Sequence, residues 1–196
     1  MPSPALLLRA RQPADLPVLW RWMHHERSPA WQQWDAPYFH AARPPSELGL
    51  EAYSDRALAQ PPTPHLRILE LGGQCVGQVS RSEEAPTGGG WWDLGILIFD
   101  PAHWGGGLGT RALQLWTAAT FAETDAHVLT LTTWSGNERL IRAGVRAGYH
   151  ECARIPQARL WQGQRWDSVK LACGARGRLK RNCNLPGMKI AHLISP

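Results

Sequence analysis

Four glycines occupy five consecutive positions, 105–109, in the stretch HWGGGLGTRA. The run LGILIF before them is typical of a β-strand, and TRALQLWTAATFAE after them is typical of a helix. The first N–H groups of a helix have no partner within the helix, and the helix dipole adds a partial positive charge there. Because glycine has no Cβ, a pyrophosphate can approach such N–H groups closely. The segment therefore predicts a phosphate-binding turn.

Two well-known phosphate-binding motifs do not fit this segment. The P-loop requires a lysine directly after its last glycine, whereas Thr110 and Arg111 follow Gly109 here. The dinucleotide fingerprint requires a third glycine where Thr110 stands, and it opens a βαβ unit instead of following a series of strands. A flexible linker without a ligand is the alternative interpretation, and the strand and helix on either side argue against it.

The segments around the turn predict a single domain of the α/β class, with mixed α+β character. A chain of 196 residues is long enough to bury a substantial core. Strands are predicted at residues 5–10, 65–71, 74–81, 91–100, 127–134, 149–161 and 165–172. Helices are predicted at residues 13–25, 108–122 and 135–148, with short helices and loops over residues 26–64. An antiparallel meander is thus followed by alternating strands and helices.

The two later helices carry further sequence signals. The first is expected to bury one apolar face, formed by Leu108, Ala112, Leu115 and Ala119. In the second, Ser135 and Glu138 have the spacing of a capping box, and Gly148 stands where a left-handed residue would end the helix. The apolar stripe of this second helix is expected to comprise Leu140, Ile141, Gly144, Val145 and Ala147.

The net positive charge of the chain lies at one end. Residues 174–196 hold five of the 21 lysines and arginines and no acid, which leaves 16 basic and 16 acidic residues in the body, 1–173. A neutral body without a recognition motif argues against a nucleic-acid-binding protein. The tail has glycine and proline breakers and no clear period, so we expect it to be poorly ordered or loosely packed. A functional basic arm is the alternative, and an altered reading frame would also produce such a tail.

The remaining composition predicts a soluble, cytoplasmic protein without a metal site. No stretch approaches the roughly 20 apolar residues of a membrane span, and the run ALLL near the start is too short for a signal peptide. The four cysteines are scattered and form no C-x-x-C pair, which is typical of reduced thiols. They are Cys75, Cys152, Cys173 and Cys183.

Three segments follow one another in a recognisable order: DPAHWGGGLGTRAL, WSGNERLIRAGVRAGY and WQGQRWDSVKL. Together they resemble the GNAT acetyltransferases, in particular the branch that acetylates ribosomal-protein N-termini. The first is similar to the family's acyl-CoA pyrophosphate motif, Q/R-x-x-G-x-G/A, with Trp104 at the Q/R position. The other two are similar to that branch's following helix and closing hairpin. The similarity extends over nearly the whole body, from about residue 6 to residue 172.

The resemblance implies a GNAT-like fold, in which a mostly antiparallel sheet splays apart between its fourth and fifth strands and is flanked by helices. Acetyl-CoA, the family's co-substrate, would lie in that gap. Leu97 and Phe99 would offer backbone groups to its pantetheine arm, and one N–H would polarise the thioester carbonyl. Asn137 would contact the cofactor arm, with helix capping as the alternative role. The pyrophosphate would bind amides of Trp104, Gly105, Gly106, Gly107, Leu108, Gly109 and Thr110.

The implied reaction is attack of a neutral amine on the thioester, so a group must remove a proton from the amine. The first candidate is Asp93, eleven residues before Trp104, where the histone-acetyltransferase branch places a catalytic glutamate. A strand-end aspartate without a catalytic role is the alternative. His103, His127 and His150 are weaker candidates.

Two residues of the family pattern are missing. Leu140 stands where the ribosomal-protein branch tends to carry a serine. Gly144 and Val145 stand nearest to the place where many members carry a tyrosine that acts as an acid toward the leaving thiolate. No general acid is therefore assigned, and the ribosomal substrate is only weakly supported.

The acceptor amine is expected to bind in the segment WQQWDAPYF. Aromatic ring faces and a carboxylate suit a cationic amine. The candidate residues are Trp31, Trp34, Asp35 and Tyr38, and packing of a helix pair is their alternative role. Protein N-termini, polyamines, amino acids and antibiotics are all compatible acceptors, and a homodimer is compatible with the resemblance.

Two functions follow from these features. The first is an N-acetyltransferase that moves an acetyl group from acetyl-CoA to a primary amine. The second is a non-catalytic acyl-CoA-binding or regulatory protein of the same fold. A turnover assay that detects free thiol distinguishes the two.

Overall fold

Seven strands form one sheet in the computed structural model, which describes residues 4–42 and 46–174. They are β1 (Leu6–Arg9), β2 (Leu66–Leu71), β3 (Gln74–Glu83), β4 (Trp91–Ile98), β5 (Val128–Trp134), β6 (His150–Trp161) and β7 (Gln164–Gly174). Their order across the sheet is β1-β2-β3-β4-β5-β7-β6. Neighbouring strands are antiparallel except for β4 and β5, which are parallel.

The parallel pair is short, and this shortness creates a fork in the sheet. Residues 91–93 of β4 pair with residues 128–130 of β5, and no pairing follows beyond Asp93. The two strands then diverge, although β4 continues to pair with β3 as far as Ile98. A mostly antiparallel sheet splayed between its fourth and fifth strands is the predicted fold class, and it is confirmed.

Helices cover both faces of the sheet. They are α1 (Leu16–Trp20), α2 (Pro37–His40), α3 (Leu50–Leu58), α4 (Leu108–Glu123) and α5 (Glu138–Arg146). Helix α1 continues into a π-helical turn, Arg21–His25, and a 3-10 turn, Ala30–Gln33, precedes α2. The predicted short helices and loops of residues 26–64 are thus confirmed in the part that the structure describes.

Strand β4 contributes to two separate cores because successive side chains of a strand point to opposite faces. On one face, Leu94 packs with α4 residues such as Leu113 and Trp116. On the other face, Phe99 packs with Leu16 of α1 in a core that also contains Trp31. Burial of each large apolar side chain stabilises the fold by about 1.5–3 kcal/mol. The two cores hold β4 in place at the edge of the fork.

The predicted helix faces need two corrections. Leu115 is 43% exposed, because successive helix residues lie about 100° apart and Leu115 stands beside the buried face centred on Trp116. The buried residues of α4 are Leu108, Ala112, Leu113, Trp116 and Thr120. In α5, Val145 is 55% exposed. The predicted left-handed residue after this helix is confirmed, since Gly148 has φ +100°.

The predicted capping box at Ser135 is wrong. The helix begins at Glu138, and Asn137 caps it by accepting the N–H of Leu140 through its side chain at 3.1 Å. The hydroxyl of Ser135 instead accepts the N–H of Asp167 on β7 at 2.9 Å. Ser135 therefore ties the end of β5 to the closing hairpin.

None of the helices within residues 4–42 and 46–174 has the length and apolar character needed to cross a membrane. Residues 175–196, which form nearly all of the predicted tail, lie outside the described residues. The division of the chain at residue 173 remains a prediction.

Candidate functional site

A cavity of about 250 Å³ opens where β4 and β5 diverge. Its walls come from four places: β4, the glycine turn with the start of α4, one face of α5, and the segment 31–35. From the turn and α4 the lining residues are Trp104, Gly105, Gly107, Leu108, Gly109, Thr110 and Leu113. The fork thus brings together nearly all of the turn residues that the sequence predicted, and Gly106 stands just outside the lining.

The glycine turn leaves its backbone open toward the cavity. Gly105 and Gly107 have φ angles of +89° and +78°, in the left-handed region that glycine adopts most easily. A Cβ at Gly105, Gly106 or Gly107 would meet no atom within 4 Å. The backbone is therefore bare for lack of a side chain, as close approach of a phosphate requires.

Helix α4 begins at this opening. Gly107 is its N-cap, and the first helical hydrogen bond runs from the N–H of Arg111 to the carbonyl of Gly107 at 3.1 Å. The N–H groups of Leu108, Gly109 and Thr110 consequently have no helical acceptor, and all three residues line the cavity. Together with the positive end of the helix dipole, these N–H groups could hold an anion such as a phosphate.

The turn is held in position by two side chains before it. The carboxylate of Asp100 accepts the N–H of Ala102 at 2.8 Å and caps a short 3-10 turn. The indole of Trp104 donates its Nε1–H to the carbonyl of Ile98 at 3.0 Å. The start of the glycine turn is thereby anchored to the end of β4.

Three arginines of α5 face the same cavity, which the sequence analysis missed. Arg139, Arg142 and Arg146 are spaced by three and four residues, so they share one face of the helix. The cavity lining contains one aspartate, Asp35, so its charge is positive overall. Guanidinium groups bind phosphate oxygens with charge-assisted hydrogen bonds. The helical spacing of these arginines in RLIRAGVR was the sequence signal that could have found them.

The strand register decides which backbone groups of β4 point into the fork. Glu84 donates its N–H to the carbonyl of Trp91 at 2.8 Å, and Phe99 donates to the carbonyl of Val76 at 3.0 Å. In an antiparallel pair, every second residue turns both backbone groups to the same neighbour. The backbone groups of Leu97 and Phe99 are therefore directed to β3, which differs from the prediction.

The backbone groups of the intervening residues of β4 face the fork instead. These residues are Leu94, Ile96 and Ile98, and beyond Asp93 no β5 partner meets them. Leu97 still lines the cavity, together with Ile96 and Ile98. Phe99 is buried against α1 and does not.

Asp93 stands at the vertex of the fork, opposite Thr130 in the last β4–β5 pair. Its Oδ1 accepts hydrogen bonds from the hydroxyls of Thr130 at 2.5 Å and Thr132 at 3.0 Å. No hydrogen bond from the described residues reaches its Oδ2. Burial raises the pKa of this carboxyl group, although the two threonines oppose the shift. The two threonines thus fix the Asp93 carboxylate through Oδ1 and leave Oδ2 available to accept a proton. The raised pKa means that this carboxylate binds a proton more readily than an exposed aspartate does.

Gly95 lies between Asp93 and the cavity along β4. Asp93 itself does not line the cavity, whereas Leu97, on the same face of β4, does. The two residues are four positions apart, which corresponds to about 13 Å along a strand. A Cβ at Gly95 would lie 2.5 Å from the hydroxyl oxygen of Ser80, so the Ser80 side chain occupies the space over this glycine. Asp93 is therefore set back from the cavity along β4.

The predicted histidines are dispersed. His103 lines the cavity beside the glycine turn. His127 lies at the opposite end of the parallel pair, where its N–H bonds to the carbonyl of Gly90 at 2.9 Å. His150 begins β6 and does not line the cavity.

The segment predicted to bind the acceptor contributes three of its four residues. Trp31, Trp34 and Asp35 line the cavity on the side of α1 and α2. Tyr38 does not, and its ring packs edge-on against Trp134 with a centroid distance of 6.1 Å. The carboxylate of Asp35 is exposed and lies 3.1 Å from the ring of His40. An acid and two indoles thus stand at one end of the cavity.

Asn137 caps α5 and does not line the cavity. We expect Asn137→Ala to lower the free energy of unfolding by about 1 kcal/mol, the usual cost of a lost N-cap. Asn137→Ser should restore that stability, since serine is an equally good cap. Urea denaturation measures both, and an alanine variant as stable as the wild type would contradict the capping role. A weaker affinity of the stable serine variant for acetyl-CoA would show the additional cofactor contact.

The family model for the GNAT acetyltransferase domain matches residues 5–150, well over half of the chain. The chain belongs to the GNAT acetyltransferase family. The matched residues include the fork, the glycine turn and α5, from which this acetyltransferase builds its cavity. The family, the fold class and the enzyme class expected from the sequence are confirmed.

Solved structures of other acetyltransferases share the fold. A ribosomal-protein-alanine N-acetyltransferase from Brucella melitensis is 23% identical, with a TM-score of 0.58 over 86% of this chain and 99% of that one. The aminoglycoside acetyltransferase AAC(6')-Ib, bound to paromomycin and acetyl-CoA, is 16% identical, with a TM-score of 0.62 over 92% and 99%. RimL, a ribosomal alpha-N-protein acetyltransferase in complex with coenzyme A, is 16% identical, with a TM-score of 0.64 over 89% and 95%. No curated protein matches this GNAT acetyltransferase significantly in sequence.

Proposed function

We propose that the protein is an N-acetyltransferase that moves the acetyl group of acetyl-CoA directly to a primary amine. The observation that carries this proposal is the bare glycine turn at the N-terminus of α4, which opens into the same cavity as the fork. Acetyl-CoA is the co-substrate. Solved relatives of the same fold hold coenzyme A or acetyl-CoA.

The described residues fit the parts of acetyl-CoA. The pyrophosphate binds the free N–H groups of Leu108, Gly109 and Thr110, and the arginines of α5 balance its charge. The pantetheine arm lies along the fork, where β4 has backbone groups without a strand partner. Ile96 and Ile98 are the residues that supply them, in place of Leu97 and Phe99. A backbone N–H on this side of β4 polarises the thioester carbonyl.

The reaction forms one bond and breaks one bond at the acetyl carbon. The amine nitrogen attacks the thioester carbonyl, and the C–S bond breaks as the amide forms. The proton lost by the nitrogen passes to the Oδ2 of Asp93 through intervening water, since Asp93 does not line the cavity itself. The raised pKa of Asp93 makes it a stronger base than an exposed aspartate.

No protein acid is required to expel the leaving group. The residues that line the cavity include no tyrosine. A thiol has an unperturbed pKa of about 8.5, so a thiolate is a fair leaving group by itself. CoA therefore leaves as a thiolate and takes a proton from solvent.

The acceptor is a cationic amine, either a protein N-terminus or a small molecule. Trp31 and Trp34 present aromatic rings and Asp35 presents a carboxylate at the acceptor end of the cavity. Both kinds of substrate occur among the solved relatives, which include an aminoglycoside acetyltransferase and a ribosomal alpha-N-protein acetyltransferase. A cytoplasmic location, where acetyl-CoA is made, would suit this role.

Calorimetric titration with acetyl-CoA, followed by a free-thiol assay over a panel of amines and peptides, tests the proposal. We expect saturable binding and amine-dependent release of CoA. Binding without thiol release for any amine would favour a non-catalytic acyl-CoA-binding protein. Absence of binding would contradict the assignment of the cavity.

The pH dependence of catalysis gives an independent prediction. Asp93 must be ionised to accept a proton, so kcat/KM falls as the pH drops through its pKa. Because burial raises that pKa, the acidic limb of the pH–rate profile lies at a higher pH than the pKa of an ordinary aspartate, which is about 3.9.

Comparing the pH–rate profiles of the wild type and of Asp93→Asn shows whether the acidic limb arises from the ionisation of Asp93. At low pH, log kcat/KM should fall with slope two in the wild type, because both the amine and Asp93 must lose a proton, and with slope one in the variant. Equal slopes in the two proteins would exclude Asp93 as the base.

A further inference from the structure

The guanidinium of Arg139 lies against two tryptophan rings from different parts of the cavity. Its central carbon is 4.8 Å from the centroid of the Trp34 ring and 4.9 Å from that of the Trp104 ring. All three residues line the cavity. Trp104 begins the glycine turn, whereas Trp34 stands at the acceptor end. Arg139 therefore joins the two ends of the cavity through cation–π contacts.

The two rings are held in different ways. Trp104 is fixed by the hydrogen bond from its Nε1 to the carbonyl of Ile98. The Nε1 of Trp34 is buried and has no hydrogen-bond partner among the described residues. The carbonyl of Trp34 accepts a hydrogen bond from Trp134 at 2.9 Å, which holds its backbone. The polar contact that orients the Trp34 ring is thus the one with Arg139.

Arg139 also spans the fork. Trp104 follows β4, whereas Arg139 is the second residue of α5, which follows β5. The contact between them bridges the two strands where they have diverged. A ligand bound at the glycine turn would therefore lie beside both Arg139 and the Trp104 ring that it contacts.

We propose that Arg139 is a positioning residue that transmits co-substrate binding at the glycine turn to the acceptor end of the cavity through Trp34. This inference rests on the proposed function. With acetyl-CoA in the fork, Trp104 holds Arg139, and Arg139 holds the Trp34 ring in the orientation that meets the amine.

Arg142 provides a matched control on the same helix. It carries the same charge and lines the same cavity, and its ion pair is with Glu138 at 2.9 Å. Arg142 makes no cation–π contact with an aromatic ring of the described residues. Loss of Arg142 removes a cavity charge but leaves the contact between the two tryptophans in place.

Hydrogen–deuterium exchange of the full chain, without coenzyme A and with coenzyme A at a concentration that saturates each protein, tests the inference. We compare the wild type with Arg139→Ala and Arg142→Ala. CoA should slow exchange in peptides covering residues 104–112 in all three proteins. It should also slow exchange about fivefold or more over residues 30–40 in the wild type and Arg142→Ala, the lower end of typical coupling between sites. In Arg139→Ala this second effect should be lost.

The outcomes separate the inference from the proposed function. If CoA protects neither segment in the wild type, the proposed function fails. If CoA protects residues 104–112 but residues 30–40 respond equally in the wild type and Arg139→Ala, or respond in neither, the role of Arg139 is overturned. Arg139→Lys keeps the charge without the planar guanidinium and serves if the alanine variant is unstable. We expect it to lose most of the protection at residues 30–40 as well.

Discussion

Asp93→Asn is expected to lower kcat/KM for acetyl transfer by about 100-fold or more, the usual contribution of a general base. Asparagine has the size of aspartate, and its Oδ1 can still accept the hydroxyls of Thr130 and Thr132. The variant therefore keeps the local hydrogen bonds of the wild type and loses only the group that accepts a proton. Steady-state kinetics with the best acceptor of the panel measure the effect.

Two controls make this result specific. Asp55→Asn makes the same change on an exposed position of α3, remote from the cavity lining, and should leave kcat/KM within about threefold of the wild type. The affinity of Asp93→Asn for acetyl-CoA should also be unchanged, because Asp93 does not line the cavity. A loss of kcat/KM below about threefold would assign Asp93 to structure alone.

Gly107→Val is expected to weaken the binding of coenzyme A by roughly 10- to 100-fold. A hydrogen bond to a charged group contributes about 1.5–3 kcal/mol, and each 1.4 kcal/mol corresponds to a factor of about ten in affinity. The Cβ of valine would project into the open space over the turn and keep the pyrophosphate from the N–H groups at the start of α4. Calorimetry on both proteins gives the ratio of dissociation constants.

Backbone strain is the competing cause of such a loss, and Gly88→Val controls for it. Gly88 has φ +83°, close to the +78° of Gly107, and a Cβ there also meets no atom within 4 Å. Both variants should therefore lose similar stability, on the order of 1–2 kcal/mol for a left-handed valine. Gly88 lies between β3 and β4 and does not line the cavity, so its variant should bind CoA normally. Equal affinities of the Gly107 and Gly88 variants would contradict the assignment of the turn.

The glycine turn could be predicted from sequence because its determinants are local. A strand, four glycines and an amphipathic helix within about 30 residues leave few alternatives for the backbone between them. The same is true of the turn between the strands predicted at residues 65–71 and 74–81, where Gly72 and Gly73 both have positive φ. Asp93 could be placed on its strand by counting from Trp104. Its position at the vertex of the fork follows from the register with β5, which no local pattern shows.

Features that depend on register or on distant contacts could not be predicted. If the hydrogen-bonding pattern of β4 shifted by one residue, the backbone groups of Leu97 would face the fork in place of those of Ile96. Both positions are apolar, so the sequence does not distinguish the two registers. Ser135 and Asn137 are both good caps two residues apart, and only the bond from Asp167 to Ser135 decides between them. The contact of Arg139 with Trp34 joins residues more than 100 positions apart.

Mass spectrometry of the products formed from acetyl-CoA labelled in its acetyl group tests the central claim most directly. The full chain is incubated with the labelled co-substrate and the panel of amines and peptides, in parallel with Asp93→Asn. We expect the labelled acetyl group to appear in an amide on at least one amine, with CoA released in equal amount. The rate at which Asp93→Asn forms this product should be lower by about 100-fold or more. Saturation of the protein with acetyl-CoA and no labelled amide on any member of the panel would contradict the central claim.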